Sequence, residues 1–402
     1  MGRILAPWLR VAIAMTAVGW GANQFAALLA VYREQGHSES FVSFAVGVYA
    51  AGLVLALFVV AAVGDRVSHR TYLRVGVLAA VAGTLLLMFG AEAESLIPVG
   101  RVVAGAATGV ILAPGTAWLM ELSRATPGAG PRRATVALSV GFGGGPALAG
   151  LVGQWAPVPA VSPYLLHLAL SAVAVPLVWS APVGPVGHGT PSPDSWRSTL
   201  RTLRTSTFVR SVAPTAPWVF GTAATSFAIA PGVVPVHTLP VAAGSVIMAL
   251  TMITGVGLQP LAKRVERRRP GRTLRWGMLA ATAGMLLGAL TFWSQLVPLL
   301  FPLAAILGAA YGLLLVGGLS RLEAISAPAD LTRVNAVFYA LSYLGFAMPS
   351  VFVLLTERGI SGVTVMLAGA VISAVTLALL PRRVPGGERS HVEDQAAAHH
   401  RR

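Results

Sequence analysis

An all-α membrane protein of twelve transmembrane helices, in two pseudo-symmetric six-helix halves, is the fold class this sequence predicts. Three observations carry it. The composition is 55% hydrophobic and only 11% charged, with a mean hydropathy of +0.74, far from the balance of a soluble domain. Apolar runs of about 20 residues, the length that crosses a bilayer as a helix, recur twelve times. A polar frame also returns half a chain later. Ala61-Ala-Val-Gly-Asp65-Arg66-Val-Ser-His-Arg70 reappears as Gln259-Pro-Leu-Ala-Lys263-Arg264-Val-Glu-Arg-Arg268, with the Arg-Val pair and the final Arg shared. Repetition at half the chain length marks a duplicated fold.

In the first half, residues 1–181, the predicted spans run approximately Val11–Val31, Phe41–Val63, Leu73–Gly90, Leu96–Leu119, Ala134–Trp155 and Tyr164–Ala181. Residues 182–209, rich in Pro, Gly and Ser, read as a linker. The second half, 210–380, gives Val212–Val236, Val241–Ala262, Leu274–Trp293, Leu296–Leu319, Val334–Leu355 and Val363–Leu380. Pro214, Pro217 and Pro231 around Gly221 predict a discontinuous seventh span. Residues 381–402 read as a disordered tail. Glu323 before Pro328 echoes Glu121 before Pro127, in keeping with the duplication.

The net charge of +15 invites a nucleic-acid partner, and its placement decides against one. Of 29 Lys and Arg, all except Arg33, Arg101 and Arg358 fall on one side of the predicted topology. The positive-inside rule then puts both termini in the cytoplasm, and the basic segments meet anionic lipid. The expected location is the inner (cytoplasmic) membrane, multi-pass, with the first span retained as a helix. With no cysteine, thiolate chemistry is excluded. The single lysine, Lys263, follows Ala262, so no Gly-x-x-x-x-Gly-Lys phosphate loop exists. The eight histidines show no metal-ligand spacing with Asp or Glu. No cofactor is expected, and no nucleophile–base set marks an enzyme.

The first polar frame resembles the loop signature of the major facilitator superfamily, Gly-x-x-x-Asp-Arg-x-Gly-Arg-Arg. Asp65, Arg66 and Arg70 match it, while Ala61, Ser68 and His69 depart from it. In the fourth span, Arg101-x-x-x-Gly105, followed by Gly109, is similar to the superfamily's second signature. A guanidinium about 7 Å inside the bilayer, at ~1.5 Å per residue, is expensive and usually functional; snorkelling to the outer headgroups is the alternative. The fifth span holds Gly141-Phe-Gly-Gly-Gly145-Pro146-Ala-Leu-Ala-Gly150. It resembles the antiporter signature of the twelve-helix drug:proton branch, with Ala149 at the penultimate Gly. Pro146 bends the helix and the glycines allow close packing.

The resemblance covers essentially the whole chain and implies two halves rocking around a central cavity. The expected function is export of small, partly apolar molecules by alternating access, with protons as the coupling ion and a monomer as the unit. An uptake symporter or facilitator is the alternative; a non-transporting membrane sensor or enzyme is the alternative from another class. Asn23 and Gln24, adjacent amides in the first span, are cavity candidates, although consecutive residues cannot share one helix face. Trp218, Thr222, Thr225 and Tyr311 are expected to line the same cavity, and His167 is a protonatable candidate in the sixth span.

A charge lock is expected at the inner face. Asp65 should meet the amide-rich start of the eleventh helix, Leu331–Asn335, and Arg66 or Arg70 should pair with Glu121. No acid falls clearly inside a span, so Arg101 is the one formal charge expected at depth. Facing the cavity, it would repel lipophilic cations.

Overall fold

The computed structural model describes residues 5–126, 129–182, 195–327 and 330–381. Much of the 182–209 linker and of the 381–402 tail lies outside the described residues. Twelve spanning elements follow one another in chain order. In the first half they are Pro7–Ala27 continued as Leu29–Glu34, then Glu39–Val63, His69–Met88, Leu96–Glu121, Ala129–Ser139 continued to Trp155, and Ser162–Trp179. The second half runs Phe208–Val212 continued to Val233, Pro240–Arg268, Arg272–Ser294, Leu300–Ile325, Leu331–Tyr343 continued to Glu357, and Gly362–Leu379. No strand occurs among the described residues. Ten of these elements are long and apolar enough to cross a membrane. The other two are spans one and seven, diluted by Asn23 and Gln24 and by prolines and hydroxyl residues.

Leu55, Trp293, Val371 and Leu379 stand more than half exposed, as side chains facing lipid do. One buried apolar cluster lies wholly in the first half, around Met15, Leu73, Ile111 and Trp118. Another lies wholly in the second, around Val219, Met278, Leu307 and Phe338. A third joins the halves, from Phe25 and Tyr49 to Phe227, Met248 and Phe346.

Lipid tails are as apolar as leucine, so helices here associate where backbones come close. Spans two and four do so at three glycines. A Cβ on Gly52 would run into the carbonyl of Val102, one on Gly105 into that of Tyr49, and one on Gly109 into that of Leu53. Spans eight and ten repeat the arrangement, with Gly308 against Thr251 O and Gly312 against Gly255 O.

The polar frame at 61–70 forms a tight turn on what is called here the hinge face. Gly64 ends span two at a φ of +56°, which favours glycine. Its carbonyl accepts from Tyr72 Oη at 2.9 Å, and Ser68 Oγ caps span three by accepting from Thr71 N at 3.2 Å. In the second frame the cap is Glu266. Its carboxylate accepts from Gly271 N at 2.6 Å, Thr273 N at 3.2 Å and the Thr273 hydroxyl.

The seventh span departs from the expected discontinuity. It stays helical throughout, with π-helical stretches at Phe208–Val212 and Thr225–Ile229. The widened turn just before Pro214 accommodates a ring that would clash with an ordinary α-turn. The linker holds a helix at Ser195–Leu203, whose Ser198 hydroxyl donates to Asp330 at the start of span eleven.

Overpacking costs about 1–3 kcal/mol where side chains can shift, and a carbonyl in a packed helix cannot. Gly105→Leu should therefore lower the melting temperature in detergent far more than Gly244→Leu, since nothing lies within 4 Å of a Cβ at Gly244.

Candidate functional site

A cavity of about 470 Å³ lies between the halves. Its deep end is mid-membrane, at Asn23, Tyr49 and Phe227, and it extends toward the hinge face past Thr135, Gln259 and Leu319. At the opposite, far face the halves touch. Arg33 Nη2 donates to Ala228 O at 3.4 Å, and the Ser40 hydroxyl donates to Glu357.

The wall is aromatic. Phe220 stacks on Tyr343 with centroids 4.2 Å apart and planes at 24°, and on Phe346 at 5.4 Å and 16°. Tyr311 stands 5.7 Å from Phe220, and Tyr49 reaches Phe346 at 6.1 Å from the first half. Among the described residues, no charged side chain lines the cavity. Polar contact comes from the tyrosines, Thr135, Ser139, Gln259 and Asn23. Asn23 is half-buried and donates from Nδ2 to Phe142 O at 3.2 Å, leaving its carbonyl oxygen for a ligand.

Asn23 and Tyr311 line the cavity as expected; Gln24, Trp218, Thr222, Thr225, His167 and Arg101 do not. Gln24 is one residue on, about 100° round the helix at 3.6 residues per turn, and is fully buried. Its Nε2 donates to Thr84 Oγ1 at 2.9 Å, Thr84 donates to His167 Nδ1 at 2.9 Å, and His167 Nε2 donates to Ala17 O at 2.9 Å. A neutral ring protonated on Nε2, with Nδ1 as acceptor, satisfies this chain. Trp218 packs in the second half's own core. Thr222 and Thr225 turn their hydroxyls to carbonyls of their own helix, at 3.2 and 2.8 Å.

Arg101 is 2% exposed, so it does not snorkel. Its Nε donates to Ala45 O at 3.0 Å and its Nη1 to Ala22 O at 2.9 Å. The guanidinium carbon lies 4.5 Å from the Tyr49 ring centre and 4.8 Å from that of Phe25. The charge thus sits behind Tyr49, tying spans one, two and four together, and does not face the cavity.

At the hinge the expected pairs are partly replaced. The backbone of Asp65 lies in the turn Gly64–Arg66, but its side chain, and so the expected contact with Leu331–Asn335, lies outside the described residues. Arg66 is exposed. Arg70 does not meet Glu121; it donates to Trp179 O, with Arg74 at 3.3 Å on the same oxygen and Arg10 on Ser180 O at 2.6 Å. The free carbonyls ending span six, at the negative end of its dipole, attract these cations. His69 takes the place beside Glu121, at 3.7 Å.

In the fifth span, Gly141, Gly145 and Gly150 are contact points. A Cβ on Gly141 would meet Thr16 O at 2.6 Å, one on Gly145 would enter the Trp20 ring, and one on Gly150 would strike Ser245 Oγ in the other half. Val140–Gly144 is a π-helical stretch leading into Pro146. Sequence reasoning missed Tyr339, Tyr343 and Phe346, although their i, i+4, i+7 spacing marks one helix face.

Two outcomes follow. Gly145→Ala should abolish transport while protein stays in the membrane, whereas Gly144→Ala, with only Val140 Cγ1 at 3.8 Å, should retain it; flux in vesicles decides. Arg101→Lys cannot reach both carbonyls. It should cost about 1–3 kcal/mol, the penalty of an unpaired buried group, read as a lower melting temperature in detergent.

The chain matches the profile of the Major Facilitator Superfamily over residues 10–348. No curated protein matches it in sequence. Crystal structures of the nucleoside transporter NupG share the fold. One, a point mutant, has a TM-score of 0.70 at 16% identity, covering 93% of this chain and 98% of that one. Another gives 0.67 at 14%, covering 93% and 97%. The chain belongs to the Major Facilitator Superfamily and is a membrane transporter, not an enzyme.

Proposed function

We propose that this transporter exports small, uncharged, partly aromatic molecules by alternating access, in exchange for protons. The observation that carries the substrate class is the cavity, ring-walled and, among the described residues, without a charged lining side chain. Aromatic faces stack on planar ligands, and a few hydroxyls and amides orient them. A single chain encloses the cavity, which supports a monomer as the working unit. The hinge face is the cytoplasmic one, because nearly all Lys and Arg lie on that side. The cavity extends toward it, as a conformation loading from the cytoplasm requires.

Export rests on the fifth-span helix that resembles the antiporter signature. Here its glycines make contacts with spans one and eight at which a Cβ has no room. A specific observation favours a second reading, uncoupled facilitation or uptake: among the described residues, no carboxylate or imidazole lines the cavity. In the exporter reading the proton would be carried at Asp65, at His167 or by the substrate itself. A resistance and accumulation screen in an efflux-deficient host, repeated with the proton gradient collapsed, tests coupled export. Flux in inverted vesicles separates export from uptake.

Carrying an ion into a cavity lined mostly by apolar side chains costs several kcal/mol. Among matched neutral, cationic and anionic dyes of one aromatic skeleton, the neutral one should therefore be exported at least about tenfold faster. Equal or faster export of the cation would reject the substrate class.

A further inference from the structure

Each helix N-terminus leaves N–H groups that need acceptors. Span eight starts at Pro240, and Leu239, in the capping position, has no side-chain acceptor to offer. The cap comes from the other half of the molecule. Gln154 Oε1, in the last turn of span five, accepts from Val241 N at 3.1 Å and from Ala242 N at 3.0 Å. Beside it, Ser245 Oγ, which donates to Val241 O of its own helix at 2.8 Å, lies 3.3 Å from Ala27 O across the same seam. A Cβ on Gly153 would lie 3.3 Å from Val241 Cγ1.

These bonds cross between the halves on the far face, opposite the face that the cavity approaches. If the cavity is to open to the far side, this seam must part, and the two amides then exchange the glutamine oxygen for water. A residue at 239 with its own acceptor would cap the helix in every conformation. Leucine makes the cap conditional on contact between the halves.

We propose that Gln154 is a latch, a helix cap borrowed across the seam that sets the balance between far-face-closed and far-face-open conformations. Its chemistry is tuned for reversal. A neutral amide oxygen binds helix N–H groups less strongly than a carboxylate would at the positive end of the helix dipole, so the face is held shut but not locked. This inference requires only alternating access, and takes from the proposed function the assignment of the far face to the outside.

Because the chain contains no cysteine, Ala27→Cys supplies a single thiol at a seam position that is 3% exposed here. Its rate of modification by a membrane-impermeant maleimide on intact cells reports far-face opening, with denatured aliquots giving total thiol. In that background Gln154→Met keeps the length of the side chain and removes the acceptor. It should raise the rate at least about threefold, the scale of a lost cap. Gln154→Glu accepts the same two bonds with a charge and should lower the rate below the parent's. Opposite shifts support the latch. Unchanged rates, or shifts in one direction for both variants, overturn it, because a merely structural glutamine would suffer alike from either change. The same pair on inverted vesicles separates the two readings: opposite shifts seen only there reverse the orientation and leave the latch standing.

Discussion

The close approach of backbones at Gly52, Gly105 and Gly109 is the constraint on which the rest of the first half depends. Lipid supplies no hydrophobic drive between helices, so contact at small residues has to supply the packing energy. Arg101 lies one turn before Gly105, on the same face of span four. The contact that brings spans two and four together therefore carries the guanidinium to Ala45 O and against the Tyr49 ring. Tyr49 then contributes to the aromatic wall of the cavity. A larger residue at Gly105 would displace the arginine, the tyrosine and the cavity wall in turn.

The second requirement is that polar groups in and beside the hydrocarbon find partners. The hinge-face arginines meet it in a specific way. Arg10, Arg70 and Arg74 bind the carbonyls that end span six, and Arg275 binds Leu380 O at 3.2 Å at the end of span twelve. The duplication is preserved in roles more than in residue types. Ser68 and Glu266 occupy equivalent places in the two frames, and each caps the span that follows. The second frame, with Lys263 where the first has Asp65, carries its carboxylate at that capping position. There Glu266 also lies 4.0 Å from Arg321.

The spans, the two halves and the glycine-rich contact helices were legible in the sequence because length, hydropathy and small-residue spacing report them directly. The cavity wall was not. A stripe such as Tyr339, Tyr343 and Phe346 reads alike whether it faces lipid, core or cavity, since all three are apolar. The neighbours Asn23 and Gln24 illustrate the same gap: one residue's rotation sends the first to the cavity and the second into a buried chain with Thr84 and His167. Glu121 was expected to pair with Arg66 or Arg70 because side-chain charges are visible in a sequence, whereas an unpaired carbonyl at a helix end belongs to any residue. The π-helical stretches carry no residue signature beyond the nearby prolines and glycines.

Where the helices depart from α geometry bears on how the halves can rock. Among the described residues, the mid-span departures fall in spans one, five, seven and eleven: at Leu28, Val140–Gly144, Thr225–Ile229 and Leu344–Ala347. Each of these spans contributes to the cavity. Spans two and four, and spans eight and ten, are held to each other by glycine contacts and run unbroken through mid-membrane. The departures thus fall in four of the lining helices, and the glycine-packed pairs, which also bring Tyr49, Leu112, Met252 and Tyr311 to the cavity, run through as a continuous frame. Phe227 sits in the middle of a π-helical stretch and borders both the central cavity and a far-face cleft of about 160 Å³. The wall between the two spaces includes this one ring, carried on a π-helical turn of the kind frequent at functional sites.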